Sequence, residues 1–164
     1  ILGDFDSCRT YARTHFNIQN VPEVKFKAEK DMTDTDLAIE HMIAEGMDSA
    51  VIIGGSGTRM DHTLANMMML FKYQEKIKLM LLDEHNCIQA AEKSMTLQSK
   101  GYSYLSLLPI SDVVEGVTLK GARYPLTNVD LIRESSYAVS NEIIDDVCEL
   151  TYEKGEMLVI QAKD

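Results

Sequence analysis

The sequence predicts an α/β fold: a parallel-sheet N-terminal domain over residues 1–84, then a small antiparallel β domain over 85–164, a sandwich or a barrel. Two observations predict it. Short, nearly continuous apolar runs alternate with amphipathic stretches in the first part, as in a parallel sheet covered on both faces. From about residue 86 the apolar stretches become short and evenly spaced, divided by Gly, Pro, Asn and Asp. A length of 164 residues suits one full domain or two small ones.

In the first part, Glu23-Val-Lys-Phe-Lys-Ala28 alternates with period two and reads as a strand, as do Ala50-Val-Ile-Ile-Gly54 and Lys78-Leu-Met-Leu-Leu-Asp83. Helices are expected over 8–16, 34–46 and 61–74. Thr33 with Asp36 resembles a capping box, and Gly46 stands where a helix ends. Repeated strand–helix–strand order means parallel βαβ units. In the second part, strands are expected over 102–108, 113–119, 136–139 and 157–162. The opening Ile-Leu-Gly-Asp reads as the end of a strand already under way, so further sequence upstream is expected.

A net charge of -10 leaves no composition for the basic stripe that duplex binding needs. No apolar run approaches the ~18 residues of a membrane span. The 3 cysteines, Cys8, Cys87 and Cys148, are scattered without a C-x-x-C pair, which points to buried, reduced thiols in a cytoplasmic protein. No signal-peptide pattern is present.

Three motifs fall at strand-to-helix junctions, which parallel topology brings to one edge of a sheet. Gly3-Asp4-Phe5-Asp6-Ser7 puts two ionised carboxylates at the strand end where α/β sheets take ligands. Two such anions close together call for a cation, and Mg²⁺ is the economical one. Ser7 would cap the following helix. Lys30-Asp31-Met32-Thr33-Asp34-Thr35-Asp36 adds a cation for phosphate and further carboxylates, although Thr33 and the acidic first turn also suit ordinary capping. Gly54-Gly55-Ser56-Gly57-Thr58-Arg59-Met60-Asp61-His62 lets backbone N–H groups approach an anion, with Arg59 able to fork onto a phosphate. It is neither a Walker A loop nor a dinucleotide fingerprint. Together the motifs read as a metal–triphosphate site.

These motifs, extended through Thr63-Leu-Ala-Asn66, resemble those of the thiamine pyrophosphokinase family. The second part is similar as well, in Ser106-Leu-Leu-Pro109, Gly116-Val-Thr-Leu-Lys-Gly121, Tyr124-Pro-Leu126 and Ser140-Asn-Glu142. The resemblance implies an ATP/Mg-binding α/β catalytic domain, a thiamine-binding β-sandwich, and a homodimer whose active sites are shared between subunits. It implies transfer of a pyrophosphoryl group from ATP to the thiamine hydroxyl, releasing AMP. Asp4, Asp6 and Asp31 match metal positions, and with Asp34 and Asp61 they form the expected catalytic set. Ser7, Lys30, Thr33, Arg59, His62, Ser140 and Asn141 form the expected substrate-binding set, the last two meeting the thiamine ring. Asp36 stands where the family often has Glu, a mild departure. In the family, further strands and a glycine-containing loop precede the first motif.

Two rival readings are weaker. Asp4-Phe5-Asp6 after a strand also resembles the nucleophile motif of haloacid-dehalogenase-type phosphatases, but Cys8 departs from that pattern and the second part stays unexplained. A non-catalytic nucleotide- or thiamine-binding module would keep the pocket without forming product.

Overall fold

The computed structural model describes the backbone of Leu2–Gly3 and Val24–Lys25, and residues 32–164 in full. The chain divides into two compact units, Ile1–Asp48 and Ser49–Asp164. In the first, strands β1 (Leu2–Gly3) and β2 (Val24–Lys25) pair in parallel, with Leu2 opposite Val24. Helix α1 (Asp34–Ala44) lies against β1. Thr33 caps it as expected, its hydroxyl accepting the Asp36 N–H at 3.2 Å. At the other end Gly46 takes φ 77°, while the Gly46 and Met47 N–H groups return to the Ile43 and Met42 carbonyls. That is a Schellman stop, and a residue with a β-carbon would be strained there. The expected helix over 8–16 and most of the strand over 23–28 lie outside the described residues.

The second unit holds two sheets. In the five-stranded one, β3 (Ser49–Ile53) and β4 (Lys78–Leu82) are parallel neighbours joined through helix α2 (Met60–Lys72). This is the βαβ unit that the apolar runs predict. Beyond β4 the sheet continues antiparallel through β5 (Asn86–Ala90), β11 (Met157–Ala162) and β7 (Tyr104–Pro109). The change of sequence pattern near residue 85 therefore marks a change of strand direction inside one sheet. The four-stranded sheet is antiparallel throughout, in the order β6 (Ser94–Leu97), β10 (Cys148–Thr151), β8 (Val113–Lys120), β9 (Leu126–Ile132).

One apolar cluster takes side chains from both sheets: Leu105, Leu107, Met157 and Val159 from one, and Leu97, Val114, Val117, Leu119 and Leu150 from the other. β7 and β10 bury alternate residues, whereas β11 buries Met157, Leu158 and Val159 in succession, and burying these apolar faces together is the main stabilising term. Cys87 and Cys148 are buried free thiols, as the scattered cysteines suggest. Helix α2 packs on β4 and β5. Of its four methionines Met69 is buried, whereas Met60 and Met68 are 61% and 44% exposed, so Met67-Met68-Met69 fills the core only in part.

Residues 136–139 do not form the expected strand. The segment turns, and it touches β7 through the Leu107 N–H to Ala138 carbonyl bond and then through an isolated bridge between Leu105 and Asn141. Strands β5, β6, β9 and β10 have no counterpart among the expected ones. β6 is a short edge strand, and β9 is broken by Asn128 at φ 50° and by register shifts against β8. No helix among the described residues is long and apolar enough to cross a membrane.

Candidate active site

The glycine loop occupies the expected place, leaving the C-terminal end of β3 and entering α2. Gly54 turns the chain at φ 74°. Gly55 is required for a different reason: a Cβ there would stand 2.4 Å from Leu81 Cδ2 and 2.9 Å from Ile52 Cγ2. Two residues from the first turns of α2 reach back to shape the loop. The buried Asn66 donates through Nδ2 to the Gly55 carbonyl at 2.7 Å. Thr63 accepts the Gly57 N–H at 3.2 Å and donates its hydroxyl to the Arg59 carbonyl at 3.2 Å. The i, i+3 spacing of Thr63 and Asn66 places both on one helical face, turned toward the loop.

Arg59 is the N-cap residue of α2, and its side chain makes no capping bond to the helix. It forks onto Asp61 in the first turn, with Nη2–Oδ2 at 2.6 Å and Nε–Oδ1 at 3.2 Å. Both side chains are well exposed. The hydrogen bond from Arg59 is the main cause holding the Asp61 carboxyl down at about 2. The same bond raises the Arg59 guanidinium above its ordinary value. His62 is exposed beside them.

A carboxylate from outside the three motifs completes this edge. Asp83 follows β4, the parallel neighbour of β3, so its side chain and the glycine loop share one end of the sheet. Its Oδ2 accepts the Ser56 hydroxyl. Its Oδ1 accepts the His85 N–H at 2.8 Å, the Asn86 N–H at 2.7 Å and Asn86 Nδ2 at 3.0 Å. Partial burial pushes this carboxyl up, but the hydrogen bonds from Ser56, His85 and Asn86 outweigh it and hold it below its ordinary value.

Ser140 and Asn141 lie elsewhere in the second unit, beside β7. Ser140 is exposed at φ 58°, and its N–H donates to Ser106 Oγ at 3.0 Å. Asn141 is only 5% exposed, and its carboxamide is engaged within the chain. Oδ1 accepts the Tyr124 N–H at 3.0 Å and the Glu142 N–H at 2.9 Å, while Nδ2 donates to the Tyr124 carbonyl at 2.7 Å. Arg123 and Glu142 reinforce the strap with a backbone bond of 2.9 Å and an ion pair of 3.0 Å. The result presents Tyr124 at 64% exposure on a backbone that cannot shift freely.

Of the other expected site residues, Thr33 is engaged as a cap and Asp34 is exposed in the first turn of α1. Asp4, Asp6, Ser7, Lys30 and Asp31 lie outside the described residues. Among the described residues no three His, Cys, Asp or Glu side chains converge as a metal would require. Ser56, Thr63, Asn66 and Asp83 are the residues that sequence reading missed. The first three stand in or beside the glycine motif, and the available signal was their polarity at positions facing a loop. Asp83 carried no such signal.

The fold and the loop define the class first: an α/β protein with a glycine loop at the C-terminal edge of parallel strands, the edge at which such sheets take ligands. Comparison with known proteins gives the particular family. A family model described as "Thiamin pyrophosphokinase, catalytic domain" matches residues 1–81, and "Thiamin pyrophosphokinase, vitamin B1 binding domain" matches residues 93–156. The chain is 32% identical to a thiamine pyrophosphokinase of Bacillus subtilis over 99% of its own length and 78% of the relative's. The crystal structure of the Bacillus subtilis thiamine pyrophosphokinase superposes with a TM-score of 0.90 over the same shares. A thiamin pyrophosphokinase family protein from Enterococcus faecalis does so at 0.86, with 33% identity, 99% of this chain and 79% of that one. The chain belongs to the thiamine pyrophosphokinase family.

Proposed function

We propose that the protein is a thiamine diphosphokinase, transferring the pyrophosphoryl group of ATP to the thiamine hydroxyl and releasing AMP. The observation that carries this reading is the succession of the two family models along one chain, over 1–81 and 93–156. The phosphatase does not account for both, and the non-catalytic module is told apart by the absence of product.

The division of labour proposed is ATP and Mg²⁺ on residues 1–84 and thiamine on 85–164. The former would be the parallel α/β part and the latter the β-sandwich part, with one sheet running through both; the parallel β3–β4 pair supports the first and the core shared between two sheets supports the second. Asp4, Asp6 and Asp31 supply the hard oxygen donors that Mg²⁺ prefers. When bound, the ion neutralises phosphate charge. Ser7, Lys30 and Thr33 are assigned to the nucleotide, as is Arg59, whose guanidinium would exchange Asp61 for a phosphate. While Arg59 holds it, Asp61 is a weak base; once Arg59 turns to the nucleotide, that carboxylate regains basicity beside the reacting groups.

In the step itself, the thiamine hydroxyl oxygen bonds to the β-phosphorus as the bond from that phosphorus to the α–β bridging oxygen breaks. AMP leaves with the electron pair. The hydroxyl proton passes to Asp61 or Asp34. His62 is assigned to substrate contact at the same edge, and Ser140 and Asn141 to the thiamine ring. The working protein is proposed to be a cytoplasmic homodimer with active sites shared between subunits.

Product analysis after incubation with ATP, Mg²⁺ and thiamine tests the reading. AMP and thiamine diphosphate should appear together and only with metal. ADP with thiamine monophosphate would instead mean attack at the γ-phosphorus and refute it. Asp61→Asn should lower turnover with little change in nucleotide affinity.

A further inference from the structure

We propose that Asp83 is a positioning residue for the glycine loop, acting through the Ser56 hydroxyl and so on the alignment of Arg59 and Asp61. The reasoning starts from what else holds the loop. Gly55 is anchored by Asn66, and Gly57 and Arg59 are anchored by Thr63, all from α2. These contacts tie the loop to its own helix. Only at Ser56 does a side-chain hydrogen bond among the described residues tie it to a different element, the turn after β4.

That turn is well fixed. Its flanking strands pair at Leu82 and Cys87, and the Asp83 N–H donates to the Asn86 carbonyl at 2.9 Å. One oxygen of the Asp83 carboxylate collects three donors from His85 and Asn86, enough to hold the turn without help. The second oxygen takes the Ser56 hydroxyl, with Asn86 Nδ2 also in reach at 3.2 Å. A carboxylate whose two oxygens face two different elements is a strut between them, and an ionised acceptor makes the bond to Ser56 a strong one. Parallel pairing of β3 and β4 is what brings the two within reach, since 27 residues separate them in sequence.

The two ends of the strut can be cut separately. Ser56→Ala removes the loop end and leaves the three bonds of the turn in place; Asp83→Asn alters both. Amide hydrogen exchange on the whole chain reads the geometry, and steady-state kinetics read its consequence. The kinetic arm rests on the transfer reaction proposed above; the exchange arm does not.

In Ser56→Ala the Gly57 amide should exchange about tenfold faster, while His85 and Asn86 exchange as in the wild type. That order is what one charge-assisted hydrogen bond sets. KM for ATP should rise by a similar factor with KM for thiamine nearly unchanged, while the melting temperature falls by only a few degrees. A role confined to stability would shift melting and spare that ratio of KM values. Combining Ser56→Ala with Asp83→Asn should raise KM for ATP no further than Asp83→Asn alone. Wild-type exchange at Gly57 in both single variants overturns the proposal, as does a double variant whose effect is the product of the two. If the wild-type chain releases no AMP, the transfer reading fails, and the exchange arm alone decides for or against the strut.

Discussion

Asn141 offers the sharpest test of how this fold is held. Its carboxamide makes three hydrogen bonds, at 3.0, 2.9 and 2.7 Å, to the backbone of Tyr124 and Glu142. Asn141→Ala deletes both partners of the Tyr124 peptide groups at a position that is 5% exposed. At about 1 kcal/mol for each net hydrogen bond, with some penalty for orphaned groups, the loss is about 2–4 kcal/mol. For a chain of this size that lowers the melting temperature by roughly 5–15 °C.

Asn141→Asp separates this account from simple loss of packing. The carboxylate keeps an acceptor for the Tyr124 and Glu142 N–H groups but turns an oxygen toward the Tyr124 carbonyl, where an N–H is needed. Neutral Asp can donate there, so its folded pKa is raised, and the variant should gain stability as pH falls through that raised value. Urea unfolding of the three proteins at pH 7 and pH 5 measures both effects. A loss below about 1 kcal/mol for Asn141→Ala, or an Asp variant as stable as wild type at pH 7, would refute the clamp.

Gly55→Ala should destabilise by about 1–3 kcal/mol, because the added methyl meets Leu81 and Ile52 below contact distance; trimming the neighbour in a Leu81→Ala background should recover part of that loss. Asp83 has a lowered folded pKa, so its contribution is fully present above the ordinary carboxylate value of about 4 and is lost as pH falls from there toward the folded value. The stability gap between wild type and Asp83→Asn should therefore be flat from pH 7 to 5 and narrow only below about pH 4, as chemical denaturation at each pH would show. Burial pushes the Cys148 thiol up to about 11, so it should resist a thiol reagent at pH 8 in the native protein and react on unfolding. Rapid native labelling at Cys148 would contradict the buried placement.

Part of the candidate site was legible because it is local. Thr33 capping α1, Gly46 closing it, and a glycine loop between β3 and α2 depend on a few consecutive residues, and backbone sterics and capping chemistry decide them within the segment. Arg59 and Asp61 also stand in sequence where they stand in space. Contacts that cross the chain were less legible. Ser56 meets Asp83 only because β3 and β4 are parallel neighbours, and no short-range pattern carries that distance.

The β strands divide along the same line. β7, β8 and β11 are apolar stretches set off by Gly, Pro and Asp, and that local punctuation marked them in the sequence. β6 and β10 are short, and they become strands through pairing with each other and with β8. The segment 136–139 has strand-like composition, yet its single bonds to β7 leave it a turn that feeds Ser140 and Asn141 into place. By itself the sequence determined the α/β character, the loop at the end of β3 and the family motifs, since those reside in neighbouring residues. Tertiary structure alone decided that β4 and β5 share one sheet, that Asn141 spends its carboxamide on Tyr124, and that Asp83 braces the loop. Each of these is a pairing of distant residues, and only packing of the strands selects among such pairings.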